Sequence, residues 1–366
     1  MPAMKISVHR YRPNILWRYA PTEDRNRYYP YDLHFRRAEV WELIGAWDDA
    51  LKTFRYLSRY AEDASLPELH AIQTINIGRI QYKMGNYLEA EERLLAAEAF
   101  FKRTGDIKRQ AIIYQILGNL RLNQFRYQEA RMLLERCLDL NAQAHDIPGL
   151  CATYGAMGNL EYLNGDLSSA EKWYLRQYEY SLKAGLRDFQ AQAMGAMGCV
   201  YAQRGQYQIA IKYFKDFLSL SRTIGDKDKI AVALGNIGNY YTQFQEYSKA
   251  RDMYLQQFEL AKQMGKKKGI CLALGNLGKA SFHLGEYKVA LIQIEEAIAI
   301  GEKLGLKYYL TEHYLLLSEI YLALGNLPQA EQAAAKAYQL SLENDDPDDQ
   351  KSALELQARI SKARSC

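Results

Sequence analysis

Six asparagines recur at two fixed places in a forty-residue pattern: Asn119, Asn159 and Asn239 in one, Asn76, Asn236 and Asn276 in the other. A carboxamide offers a donor and an acceptor together, so it can pair with a peptide backbone whatever the side chains of that peptide are. Asparagine is a middling helix former, and propensity alone gives it no reason to return to one register. The chemistry of catalysis and metal binding is sparse by comparison. His9, His34, His70, His145, His283 and His313 share no metal-ligand spacing, and no H-E-x-x-H sequence or nucleophile elbow occurs. Cys137, Cys151, Cys199, Cys271 and Cys366 form no C-x-x-C pair and are odd in number, which argues against a zinc site or a disulfide framework. The GNIG and GNLG pairs lie inside helical patterns with no strand before them, so they are not a dinucleotide loop. The GKKKG run at 265–269 reads as exposed punctuation. No catalytic residue, metal or cofactor is expected.

The elements that position these residues follow from a repeat. Alanine stands at 50, 90, 130, 170, 210, 250, 290 and 330, always forty residues apart. Glycine keeps the same step at 78, 118, 158, 198, 238 and 278, with Ser318 closing the series. Another glycine series (45, 85, 165, 205, 285, 325) precedes the alanines by five residues, and one more runs 105, 185, 225, 265, 305 with His145 in its gap. Between Gly225 and Gly265, Ile230, Ala233, Leu234, Ile237 and Tyr241 recur at helical steps, and Tyr247, Ala250, Tyr254 and Leu260 do so again. Each unit therefore reads as two antiparallel helices. One glycine series turns the chain between them, and the other ends the second helix in a left-handed residue. Asp106 and Asp226 are placed as N-caps. Gly118, Ala130 and their equivalents let the two helices of a hairpin approach closely, and larger side chains there would overpack the core.

Composition agrees. Apolar residues make up 48% and charged residues 25%, an ordinary soluble balance. Eight prolines, against about 18 at average usage, leave room for long helices. The 29 tyrosines suit half-buried seams and grooves. A net charge of +4 among 47 basic and 43 acidic side chains is too even for a nucleic-acid binder. Residues 1–20 hold no apolar run like a signal peptide, and no stretch of eighteen apolar residues occurs, so a cytoplasmic location is the default expectation.

YQILGNLRLNQFRYQEA (114–130), LGNIGNYYTQFQEYSKA (234–250) and LGNLGKASFHLGEYKVA (274–290) resemble the tetratricopeptide repeat (TPR) motif. The resemblance covers residues 31–345. It implies an all-α, right-handed α-solenoid of antiparallel helix hairpins, the TPR superhelix. The units have forty residues rather than the family's usual 34 and lack its closing proline; the extra length is expected in the second helix and its exit loop. Units of this kind are similar to those of spindle-orientation adaptors, kinesin light chains and bacterial signalling proteins. Eight hairpins are expected at 31–65, 66–105, 106–145, 146–185, 186–225, 226–265, 266–305 and 306–345. An irregular, arginine-rich arm (1–30) precedes them and a C-terminal capping helix (346–366) follows, with Asp345, Asp346 and Pro347 as its start.

In the resembling family the first helix of each hairpin lines a concave groove. The resemblance thus implies a peptide-binding groove of Asn76, Arg79, Lys83, Asn119, Asn159, Asn236, Asn239, Asn276 and Lys279, with His283 and Glu319 beside them. Gly155, Gly195, Gly235 and Gly275 form a further series whose helix-interior cost is about 1 kcal/mol each. Either neighbouring first helices pack backbone to backbone there, or the groove floor is cleared for a ligand. Arg79, Lys83, Lys279 and His283 suit a segment with acidic groups near both ends of its bound stretch. The function expected is a protein–protein interaction scaffold that holds a peptide or extended segment. The alternative is a signalling-peptide sensor or regulatory module of a bacterial cyclase, kinase or ATPase system. Partners are a protein or peptide, a second copy of the chain included, with no nucleic acid and no membrane.

Overall fold

Helices of 17 to 19 residues, joined by three-residue turns or by a two-residue connection after a left-handed cap, are the whole of the secondary structure among residues 25–365, the part the computed structural model describes. Side chains are described from 31 to 364. In order they are α1 (Arg25–Leu43), α2 (Trp47–Asp63), α3 (Pro67–Lys83), α4 (Tyr87–Thr104), α5 (Ile107–Asn123), α6 (Tyr127–Gln143) and α7 (Ile147–Leu163). Then come α8 (Leu167–Lys183), α9 (Arg187–Gln203), α10 (Tyr207–Ile224), α11 (Lys227–Gln243) and α12 (Tyr247–Gln263). The last are α13 (Lys267–His283), α14 (Tyr287–Leu304), α15 (Lys307–Ala323), α16 (Leu327–Glu343) and α17 (Pro347–Ser365). The fold is the all-α solenoid class expected, formed by two compact units that divide between Asp166 and Leu167. Residues 25–30, expected in the irregular arm, belong to α1; residues 1–24 lie outside the described part.

A left-handed residue recurs every twenty positions and follows each helix from α1 to α16. Most are glycines, but Ser65, Phe125, His145, Gln245 and Asp345 also have positive φ, from 50° to 59°. The Asp106 carboxylate accepts from the Arg109 N–H at 2.9 Å and Asp226 from the Lys229 N–H at 3.1 Å, so both expected caps form. Asp346 does the same for α17, accepting from the N–H groups of Asp348 and Asp349. The extra length does not go to the second helix alone: α5 and α6 both have 17 residues. Antiparallel partners of equal length leave no turn of apolar stripe unpaired.

All eight alanines of the forty-residue series are 0% exposed. The facing glycines accept large side chains of the second helix. A Cβ at Gly118 would stand 2.8 Å from Leu134, one at Gly78 would stand 2.9 Å from Leu94, and one at Gly198 would collide with the Phe214 ring. In most hairpins the first helix buries more of its surface than the second. Thus α5 buries residues on most of its circumference, from Gln110 to Leu122, whereas α6 buries only Ala130, Leu134, Cys137, Leu140 and Asn141.

Candidate protein-binding surface

In the first unit the solvent face of the first helices is built around Asn119 and Asn159. Asn119 lies one helical turn before Asn123 on α5, so the two share a face. Asn159 is exposed at the equivalent place on α7. With Tyr82 of α3, Leu122, Tyr162 and Leu163, they line a cleft of about 310 Å³. The Asn123 amide donates to the Tyr82 hydroxyl at 3.1 Å, which fixes that ring as one wall. Burial pushes the Tyr82 phenol up, so it stays neutral. Tyr82, Leu122, Asn123, Tyr162 and Leu163 were not among the expected site residues. They stand four or five positions after the packing glycines Gly78, Gly118 and Gly158, the next turn of the same face, and that register was the signal available.

The expected ladder ends at α3. Asn76 is only 6% exposed; its amide donates to Gln73 at 3.0 Å, and Gln73 donates to the Tyr31 hydroxyl at 2.7 Å. Arg79 and Lys83 both reach Glu42, at 2.9 and 2.7 Å. Burial would raise the Glu42 carboxyl, but the two cations together hold it below the usual range. Helix α1 thus occupies these three positions itself, and the acid-binding end expected at Arg79 and Lys83 is already engaged by the Glu42 carboxylate.

In the second unit the equivalent positions lie on α11 and α13. Asn239 and Lys279 are exposed there, and Asn236 and Asn276 are half-buried. Asn239 is partly engaged: one acceptor position of its side-chain oxygen is taken by the Tyr254 hydroxyl at 2.7 Å, so it serves a ligand mainly as a donor. His283 stacks on Tyr247 with ring centres 4.4 Å apart, and burial followed by Lys279 lowers its pKa, so it is neutral at pH 7. Glu319 pairs with Arg359 of α17 at 3.2 Å.

The second glycine series is not an open floor. A Cβ at Gly195 would press on Phe217, one at Gly235 on Gln257, and one at Gly275 would overlap the His313 ring. These glycines are notches already filled by side chains of α10, α12 and α15, a use that neither expectation named. Gly155 is partly buried. Among the described residues no three His, Cys, Asp or Glu side chains gather as a metal site, and no helix is long and apolar enough to cross a membrane.

The family model for the tetratricopeptide repeat matches residues 68–143, 149–223 and 189–263, more than half of the chain. A model for anaphase-promoting complex subunit 5 matches residues 237–320. No curated protein matches the sequence. Among solved structures, the chain is similar to a signal transduction ATPase with numerous domains, bearing a tetratricopeptide repeat sensor, from Pyrococcus horikoshii. The TM-score is 0.66 at 18% identity, over 90% of this chain and 49% of that one, so this chain spans about half the length of the ATPase. A Rap protein complexed with competence and sporulation factor gives a TM-score of 0.60 at 13% identity, over 91% and 97% of the two chains. The APC/C hetero-tetramer Cut9–Hcn1 gives 0.59 at 14% identity, over 90% and 55%. At these identities the likeness is one of fold.

Proposed function

The chain belongs to the tetratricopeptide repeat family, and from that premise we propose that it is a scaffold holding an extended segment of another protein on the solvent face of its first helices. The repeats themselves support a protein-interaction scaffold. Holding of a peptide segment is supported by the asparagine-lined cleft on α5 and α7, where Asn119 and Asn159 stand forty residues apart on neighbouring first helices. A main-chain N–H or C=O laid across them finds a partner irrespective of its side chain. Each such bond contributes about 0.5–1.5 kcal/mol net. Asn239 repeats the arrangement as a donor in the second unit.

The test is a display library of random dodecapeptides selected on the full chain, followed by titration of the winners by fluorescence anisotropy. A variant with Ala at Asn119, Asn159 and Asn239 should bind them at least about tenfold more weakly, the equivalent of ~1.4 kcal/mol. Equal affinity in a variant with an unchanged circular dichroism spectrum sinks the proposal.

A further inference from the structure

We propose that the cleft bounded by Tyr82, Leu122, Tyr162 and Leu163 takes one aromatic or large aliphatic side chain from an electrically neutral stretch of the held segment. This rests on the peptide-holding reading and adds what the first unit selects for. Two phenols, two leucines and three asparagines line the cleft, and no charged side chain does. The charges nearest in sequence are committed elsewhere. Arg121, next to Leu122, bonds Glu91 at 2.9 Å and reaches Glu129 at 3.2 Å. Glu161, next to Tyr162, is held by both terminal nitrogens of Arg131 at 2.6 and 2.9 Å. Arg79 and Lys83 share Glu42. An ionic ligand group would therefore lose its water at this face and meet only charges that already hold a partner.

Leu163 is 50% exposed, an apolar surface at the mouth of the cleft. The Tyr82 ring is fixed by its bond from Asn123, so a ligand ring would meet a pre-set wall. Size agrees. A cavity of about 150 Å³ accepts benzene, and about 310 Å³ accepts an aromatic side chain with the backbone on either side of it. Asn119 and Asn159 then flank that backbone, so the amides hold the chain and the cleft chooses the side chain.

The same peptide selection reads this directly. The winners should share Phe, Tyr, Trp or Leu at one position with no enrichment of acidic or basic residues. Their affinity should change less than about twofold between roughly 0.1 and 1 M salt, where screening shortens from about 10 to 3 Å. Leu163→Glu, at a half-exposed position that tolerates the change, should weaken binding about tenfold or more. Replacing the shared side chain in the peptide by Ala should do the same. A charged consensus, a tenfold loss of affinity across that salt range, or indifference to Leu163→Glu overturns the neutral anchor. If the asparagine variant weakens binding while Leu163→Glu does not, the holding face stands and the anchor falls. If neither changes binding, or the library yields no binder, both fall.

Discussion

Ser318 and Ala334 occupy, in the last hairpin, the places that Gly278 and Ile294 hold forty residues earlier. A Cβ at Gly278 would lie 3.0 Å from Ile294, whereas the Ser318 hydroxyl has room to donate to the Ala330 carbonyl at 2.7 Å. The pair exchanges volume: a larger first-helix residue is tolerated when its partner shrinks. Gly278→Ser alone should cost about 1–3 kcal/mol, and Ile294→Ala about 2–5 kcal/mol. The double variant should be about 1 kcal/mol more stable than the sum predicts; strict additivity in urea unfolding would refute the exchange. His313 makes stability depend on pH. It fills the Gly275 notch at 5% exposure, with Nδ1 lacking a partner among the described residues, and burial lowers its pKa to about 4. The unfolded imidazole binds its proton near pH 6.5, so the unfolded state takes up protons first as pH falls. Stability is complete above about 6.5 and drains toward pH 4, by about 3 kcal/mol from this group. His313→Gln lacks that loss, so the two stability curves should converge or cross on acidification. Parallel curves would show that the ring is not desolvated.

Neighbouring helices are pinned in register by side chains thirty residues apart. Glu91 of α4 meets Arg121 of α5, and the signs then reverse as Arg131 of α6 meets Glu161 of α7. A hairpin slipped by one repeat would bring like charges together, which disfavours the wrong neighbour. Glu161 is 5% exposed and pairs with Arg131 at 2.6 Å, so losing Arg131 leaves a buried carboxylate without that partner. Arg131→Met should destabilise by about 3–5 kcal/mol, and adding Glu161→Met should recover most of it; a double variant as unstable as the single one would count against this. At the turns, Phe125 and Gln245 hold φ near 59° where most equivalents are glycine. Gln245→Gly should therefore gain roughly 1 kcal/mol in urea unfolding. Much of this was legible in the sequence, because each hairpin's neighbours are near-copies of itself and one period fixes helix, turn and packing glycine together. The amide positions Asn119 and Asn159 were legible for the same reason. What covers or fills a position was not. Glu42 comes from a first hairpin without the glycine motif, and the Tyr254 hydroxyl reaches Asn239 from the second helix. Those contacts depend on side-chain depth and rotamer, which a period does not encode.

For the molecule as a whole, helices that touch mainly their sequence neighbours make stability a sum of local terms. The C-terminal end tests this. Leu356 and Ile360 of α17 pack on Ala330 and Ala334, and Arg359 and Arg364 pair with Glu319 and Glu331. A chain ending at Asp345 loses these contacts and bares the alanine face of α16. Hydrogen exchange should then quicken in α15 and α16, fade in effect through α13 and α14, and stay unchanged from α1 to α6. A peptide selected on the first-unit cleft should bind the shortened chain with the affinity it has for the full one. Loss of protection throughout, or loss of that affinity, would mean that the repeats unfold as one cooperative body, and that the surface on α5 and α7 depends on a helix almost two hundred residues further along the chain.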